Sequence, residues 1–246
     1  MNRYFLDVAY KGARYAGSQV QANAVTVQAE IERALGIYFR SPVTLTGSSR
    51  TDTGVHARQN YFHFDTEEPV NPKAIYNLNS ILYGDISINA IIPVKPEAHC
   101  RFDALSREYE YFVYDTKDPF LEDRAYFFPY PLNVEALNEA AALITGYTDF
   151  TSFAKRNSQV KTAICTLMAS EWTVRGKTLV YRVKSNRFLR GMVRGLVGTM
   201  LQVGRGKMTM EGFKKVIEAK DCAWANFSVP GHGLFLLKVQ YPEGYF

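Results

Sequence analysis

The segment richest in chemistry is Gly47-Ser48-Ser49-Arg50-Thr51-Asp52-Thr53-Gly54-Val55-His56-Ala57. An aspartate in a tight, glycine-flanked loop, with an arginine two positions earlier, can be kept ionised by that cation and presented to a substrate, as a nucleophilic carboxylate requires. The same residues also fit an Asx turn with a surface ion pair, since Asp and Gly dominate turns for conformational reasons. Asp52-Thr53-Gly54 is, in addition, the D-T-G of aspartic proteases. Those sites need two aspartates sharing a proton, whereas this chain has a single D-T-G, led into by polar Ser48-Ser49-Arg50 instead of an apolar strand. His56 and His63 invite a general-base assignment, because histidine as a residue type titrates near neutrality, and His56 is expected to be structural. Cys100, Cys165 and Cys222 lack C-x-x-C spacing, so they read as reduced, buried small hydrophobes in a cytosolic protein and not as zinc ligands.

A second concentration of chemistry is cationic. Arg182, Lys184, Arg187, Arg190, Arg194, Arg205 and Lys207 crowd one stretch, while acids cluster elsewhere, as at Asp65, Glu67 and Glu68. The formal net charge is +5 and the pI about 9.0, which suits a polyanionic partner without requiring one. The spacing predicts a helix from about Phe188 to Gln202. Phe188, Met192, Leu196 and Met200 would face the core, and Arg187, Arg190 and Arg194 would line a second face. Gly191, Gly195 and Gly198 weaken such a helix by up to about 1 kcal/mol each, which points to close backbone approach by a neighbour.

The elements that must position these groups can be read from periodicity. Tyr4, Leu6, Val8 and Tyr10 alternate with Phe5, Asp7 and Ala9, a strand pattern ended by Lys11-Gly12. Thr26 reads as the N-cap of a helix running to about Phe39, with Glu30 favoured in its first turn. Val43 to Thr46 and Gln59 to Phe64 read as strands holding the Asp52 loop. Asn71-Pro72 reads as a cap with proline at the first helical position, before Ile75, Leu78 and Leu82. Arg107 to Asp115 alternates again, and Asn133 caps a helix with Leu137, Ala141 and Ile144 inward. Glu171 to Val174 and Thr178 to Lys184 flank Arg175-Gly176-Lys177 as a hairpin. A helix from Met210 to Lys220 and a strand from Phe235 to Tyr241 complete the chain. With 47% hydrophobic and 22% charged residues, disorder is excluded. No segment reads as a signal peptide, anchor or membrane span. The expectation is α+β, with antiparallel sheets covered by helices and two subdomains, 1–105 and 106–246.

Arg50-Thr51-Asp52-Thr53-Gly54-Val55-His56-Ala57 resembles the R-T-D-x-G-V-H-A signature of the tRNA pseudouridine synthase A family. The resemblance extends over nearly the whole chain. Tyr10-Lys11-Gly12, Gly17 to Gln21 and Thr26-Val27-Gln28 are similar to the family's opening segment, Leu78 to Leu82 with Asp85-Ile86 to a later one, and His99 to Ala104 to its F-H-A-R-F-D-A run. Arg107-Glu108-Tyr109-Glu110-Tyr111 looks like R-x-Y-x-Y, Asp149 to Phe153 like D-F-x-x-F, and Phe188 to Arg194 like F-L-x-x-M-V-R. Lys11, Ser18, Ser49 and Tyr83 depart from the usual Asp, Trp, Gly and Pro.

The resemblance implies an isomerase that turns uridine into pseudouridine at positions 38, 39 and 40 of the tRNA anticodon stem-loop. It also implies joined sheets with an active-site cleft between the subdomains, no cofactor or metal, a homodimer and a cytoplasmic location. Asp52 would be the nucleophile, Tyr109 would stack on the base and take the C5 proton, and Arg194 would pair with the nucleophile. Arg50 would pair with Asp52 before RNA arrives and then fill the stack. Arg187, Arg190, Arg205 and Lys207 would bind RNA. Alternation along the strand assigns Tyr111 to the opposite register from Tyr109. A non-catalytic RNA-binding module is the rival reading, since split α+β halves with aromatic strands also read single-stranded RNA.

Overall fold

In a computed structural model, which describes residues 1–71, 73–156 and 161–246, the chain divides into two compact units, Met1–Leu105 with Leu236–Phe246, and Ser106–Phe235. The division after Leu105 falls between the strands Ile86–Val94 and Ser106–Tyr114. The last eleven residues belong with the first unit and not with 106–235. The fold is α+β, and among the described residues no helix is long and apolar enough to cross a membrane.

The first unit contains β1 (Asn2–Tyr10), α1 (Val27–Phe39), β2 (Thr46–Gly47), β3 (His56–Thr66), α2 (Ala74–Ile81) and β4 (Ile86–Val94). Its strand order is β4-β1-β3, with β2 on β3. Pairing is antiparallel, setting Tyr4 opposite Phe64 and Leu6 opposite Phe62. These residues share the face on which Phe39 of α1 meets Phe64, at 6.0 Å between ring centroids. The opposite face carries Phe5, Tyr61 and His63, and the C-terminal rings of Tyr241, Tyr245 and Phe246 pack against Phe5. The period-2 pattern of β1 therefore buries both faces.

Thr26 caps α1 as the sequence predicts, its side chain accepting the Ala29 N–H at 3.3 Å. The strand expected at Val43 to Thr46 shrinks to Thr46–Gly47. The reason is local: Glu32 accepts the Leu45 N–H at 2.8 Å and Gln28 donates to the Leu45 carbonyl, so α1 side chains occupy groups a ladder would use. Asn71 accepts the Lys73 N–H ahead of α2, while the expected proline position, Pro72, lies outside the described residues.

The second unit contains β5 (Ser106–Tyr114), β6 (Tyr126–Phe127), α3 (Val134–Leu143), β7 (Leu167–Arg175), β8 (Thr178–Ser185), α4 (Met192–Gly204) and α5 (Met210–Glu218). The order is β5-β8-β7, antiparallel, with β6 parallel to β5. The last strand, β9 (Leu234–Gln240), runs into the residues that return to the first unit. Asn133 caps α3 through the Ala136 N–H. Asn138 of α3 both donates to the Trp172 carbonyl and accepts its N–H, fastening the helix to β7. The hairpin turns through two residues, Gly176 and Lys177, because Arg175 and Thr178 still pair. Gly176 supplies the left-handed residue, with φ 57°.

Candidate active site

The Asp52 loop is anchored from three sides within the first unit. Thr51 is fixed on both backbone groups: its N–H donates to Ser18 Oγ at 2.9 Å and its carbonyl accepts the Ser18 N–H at 3.1 Å. Thr51 Oγ1 lies 2.9 Å from the Tyr10 hydroxyl, and buried Asn60 donates to that hydroxyl and to the Ser49 carbonyl. Tyr15 accepts the Gly54 N–H, and the Val55 N–H closes the turn onto the Asp52 carbonyl. Gly54 supplies the positive φ this turn needs, 79°. Ser18 thus serves as a hydrogen-bonding anchor for the loop.

Thr51 and Val55 are buried, whereas Asp52 between them is half-exposed. Backbone that is pinned on either side of an accessible carboxylate holds it in a narrow range of positions, the arrangement a reacting group needs. Arg50 is exposed and enters no ion pair among the described residues, so the expected pair with Asp52 is not formed. His56 is 1% exposed and its Nδ1 accepts the Gly12 N–H, a structural role as expected.

In the second unit, Tyr109 and Tyr111 both sit on β5. Residues two apart on a strand share a face, so the expectation of opposite registers is corrected: they pair with Val183 and Tyr181 along one side of β8. Their surroundings separate them. Tyr111 is fully buried, donates its hydroxyl to the Pro230 carbonyl at 2.8 Å, and is held protonated by burial. Tyr109 meets Phe188 edge to face at 4.9 Å.

The helix expected from Phe188 begins at Met192, because Gly191 takes a left-handed conformation with φ 74°. Phe188 is consequently a half-buried loop residue, while Met192, Leu196 and Met200 are core as expected. Arg187 and Arg190 precede the helix and form no stripe with Arg194. Arg194 lies in the first turn of α4, and its Nε donates to the Val229 carbonyl at 2.8 Å. The glycines explain how that carbonyl comes so near: a methyl group on Gly198 would stand 2.2 Å from the Asn226 carbonyl oxygen, and one on Gly195 2.8 Å from the Phe227 ring.

The basic stretch is not one continuous surface. Arg182 is tied to Glu108 and Glu171, and Arg175 to Glu110, on the sheet face opposite Tyr109. Arg205 stacks on Tyr130, 3.8 Å from the ring centroid. Arg190 and Lys207 are exposed, and Arg187 is half-buried.

One group of metal-ligand type occurs among the described residues: His63, His99 and Cys100, with ligand atoms within 4.8 Å of one another. Cysteine and histidine count alone did not reveal it, since β3 and the 99–100 segment meet only in the fold. Its hydrogen bonding suits a packed core better than an ion. A ligating histidine normally donates its second ring N–H outward. Here each Nδ1 accepts backbone N–H groups, His63 from Cys100 and His99 from Arg101 and Phe102, and the Cys100 thiol donates to the Thr46 carbonyl. Burial, followed by the neighbouring His99, lowers the His63 pKa to about 4.

Comparison with known proteins gives a concordant picture. A family model described as tRNA pseudouridine synthase matches residues 140–242. The chain is 49% identical to tRNA pseudouridine synthase A of Parabacteroides distasonis, over 100% of this chain and 98% of that protein. It is 46% identical to the protein of the same name from Bacteroides thetaiotaomicron, over 100% and 93%, and 44% identical to that of Azobacteroides pseudotrichonymphae, over 100% and 99%.

Proposed function

Because this chain belongs to the tRNA pseudouridine synthase A family, it isomerises uridine to pseudouridine in tRNA, and we propose that Asp52 supplies the carboxylate on which the reaction turns. The reaction breaks the bond from C1′ to N1, rotates the uracil, joins C1′ to C5 and releases the C5 proton, while N1 gains one. Atoms are rearranged and no electrons are lost, so side chains alone can carry it. A carboxylate can attack C1′, add to C6 of the base, or abstract the C2′ proton to give a glycal, and it leaves readily from either adduct.

The observation that supports Asp52 is its half-exposed position on a loop whose flanking backbone is held by Ser18, Tyr10, Tyr15 and Asn60. In this proposal Tyr109 stacks on the extruded uracil and takes the C5 proton, and Arg194 pairs with the carboxylate. Arg50, exposed, fills the space the base vacates. Arg187, Arg190, Arg205 and Lys207 contact phosphates. These groups lie on both units, so the proposal includes joined sheets and a cleft that receives the RNA. It also includes a homodimer, because one small cleft cannot grip a full anticodon arm, and action in the cytoplasm. A fully active monomer in sedimentation at micromolar concentration would remove the dimer.

The target uridines are proposed to be 38, 39 and 40 of the anticodon stem-loop. Treating an unmodified tRNA transcript that carries uridine at those positions, then mapping pseudouridine along it, tests this. Modification confined to those positions is expected. Pseudouridine elsewhere, with none in the anticodon arm, would overturn the positional assignment.

A further inference from the structure

The 106–235 unit carries a concave surface that the proposed reaction does not use. It is an open cavity of about 460 Å³, lined by the segment after the short turn Thr151–Phe153, by Lys161 to Ala163, and by Lys220 to Cys222 after α5. Four cations face it: Lys155, Arg156, Lys161 and Lys220. Lys220 is held by Asp149 at 3.0 Å, but no carboxylate of the described residues pairs with exposed Lys155, Arg156 or Lys161. Asp221 is the one acid in the lining, and one of its carboxylate oxygens caps the Ala223 N–H at 2.9 Å.

This contrasts with the sheet of the same unit, where Arg175 and Arg182 each find a glutamate. Three unneutralised cations around one cavity repel one another, and an anion there relieves the repulsion. The segments that carry them are tied together. The Lys155 N–H donates to the Arg190 carbonyl at 2.9 Å, the Phe150 N–H to the Ala163 carbonyl at 3.1 Å, and the Asp221 N–H to Ser152 Oγ at 3.1 Å. The first of these bonds sets the cavity's rim beside exposed Arg190. Trp224, 60% exposed, closes the turn that starts at Asp221. Two residues beyond Cys222 of the lining, it offers an exposed flat ring of the kind on which unpaired bases stack.

We propose that this cavity binds the phosphodiester backbone of tRNA outside the target nucleotide, with Trp224 stacking on an unpaired base. The openness of the surface and the long, exposed cationic stems fit a chain passing across it, where a small free anion would call for an enclosed, hydrogen-bonded nest. The proposal rests on the tRNA substrate given above.

The test uses the full chain carrying Lys155→Gln, Arg156→Gln and Lys161→Gln together, Trp224→Ala separately, and Lys117→Gln as an exposed control. Unmodified tRNA labelled with tritium at uridine C5 gives KM and kcat, and binding is followed across salt concentrations. The triple variant should lower the log–log salt slope by about 2 to 3 and raise KM about tenfold, with kcat within about twofold of native. Trp224→Ala should weaken binding about tenfold without changing the slope, and Lys117→Gln should change neither. A triple variant with native slope and KM overturns the proposal. So does an inorganic-phosphate titration that quenches Trp224 fluorescence in the native chain and not in the triple variant while the tRNA parameters stay native, since that marks a site for free anions. If the native chain releases no tritium, the substrate reading fails instead, and the binding slope still decides whether the cavity contacts RNA.

Discussion

Replacing Gly12 by alanine would put a methyl carbon 1.9 Å from the Val55 carbonyl oxygen and 2.5 Å from its carbon. Both are backbone atoms, so no side chain can rotate away, and the two segments must separate by about 1 Å or more to reach ordinary contact. Val55 is tied to Asp52 through its N–H, and the Gly12 N–H holds His56, so the displacement passes directly into the loop that carries the carboxylate. Overpacking of this kind costs about 1–3 kcal/mol, which for a chain of this size lowers Tm by roughly 2–10 °C. A misplacement of about 1 Å at a reacting group costs on the order of 100-fold in turnover. Gly84→Ala is the control, because nothing lies within 4 Å of the added methyl group. Calorimetry and tritium release from C5-labelled tRNA read the two effects. A Gly12→Ala protein that melts and turns over like Gly84→Ala would refute the claim that this contact positions Asp52.

Gly198→Ala places a methyl group 2.2 Å from the Asn226 carbonyl oxygen and should push away the segment whose Val229 carbonyl holds Arg194. Lower Tm and lower kcat are expected together, and a native kcat at reduced Tm would detach Arg194 from catalysis. Acid stability is set in part by His63, whose pKa is about 4 in the folded chain against 6.5 when exposed. The unfolded chain takes up the extra proton between these values, so stability should be full above pH 6.5 and fall as pH drops toward about 4. His63→Gln keeps an acceptor for the Cys100 N–H but cannot titrate. Urea unfolding at a series of pH values should show a flatter slope for it, and an unchanged slope would contradict the assignment.

Elements whose signal is local were legible in the sequence. Thr26, Asn133 and the alternation of β1 act through neighbours a few residues away, and the structure has them where the pattern puts them. Departures occur where a distant partner or a backbone angle decides. Four-residue spacing carried the α4 pattern back to Phe188, but spacing carries no φ, and Gly191 in the left-handed region ends the helix there. Leu45 looked like strand because its competing partners, Gln28 and Glu32, sit on another element. Arg182 counted toward a basic surface, but Glu108 on the neighbouring strand β5, two residues from its register partner Glu110, neutralises it. In the site, the motif located Asp52 and its loop, and the weak helix propensity of Gly195 and Gly198 rightly signalled close approach, by Asn226 and Phe227. The anchoring by Ser18 was not legible, because its partner, Thr51, lies 33 residues away.

The most direct test of the account is Asp52→Asn, which keeps size and most hydrogen-bonding capacity and removes the charge. Forming the bond from C1′ to C5 must release the C5 proton, so tritium freed from C5-labelled tRNA counts completed isomerisation. The native chain should release tritium, and the variant should bind tRNA within several-fold of native, because phosphate contacts are untouched, yet release essentially none above background. Near-native release by Asp52→Asn would contradict the central claim, and no release by the native chain from any anticodon arm would leave it an RNA-binding module.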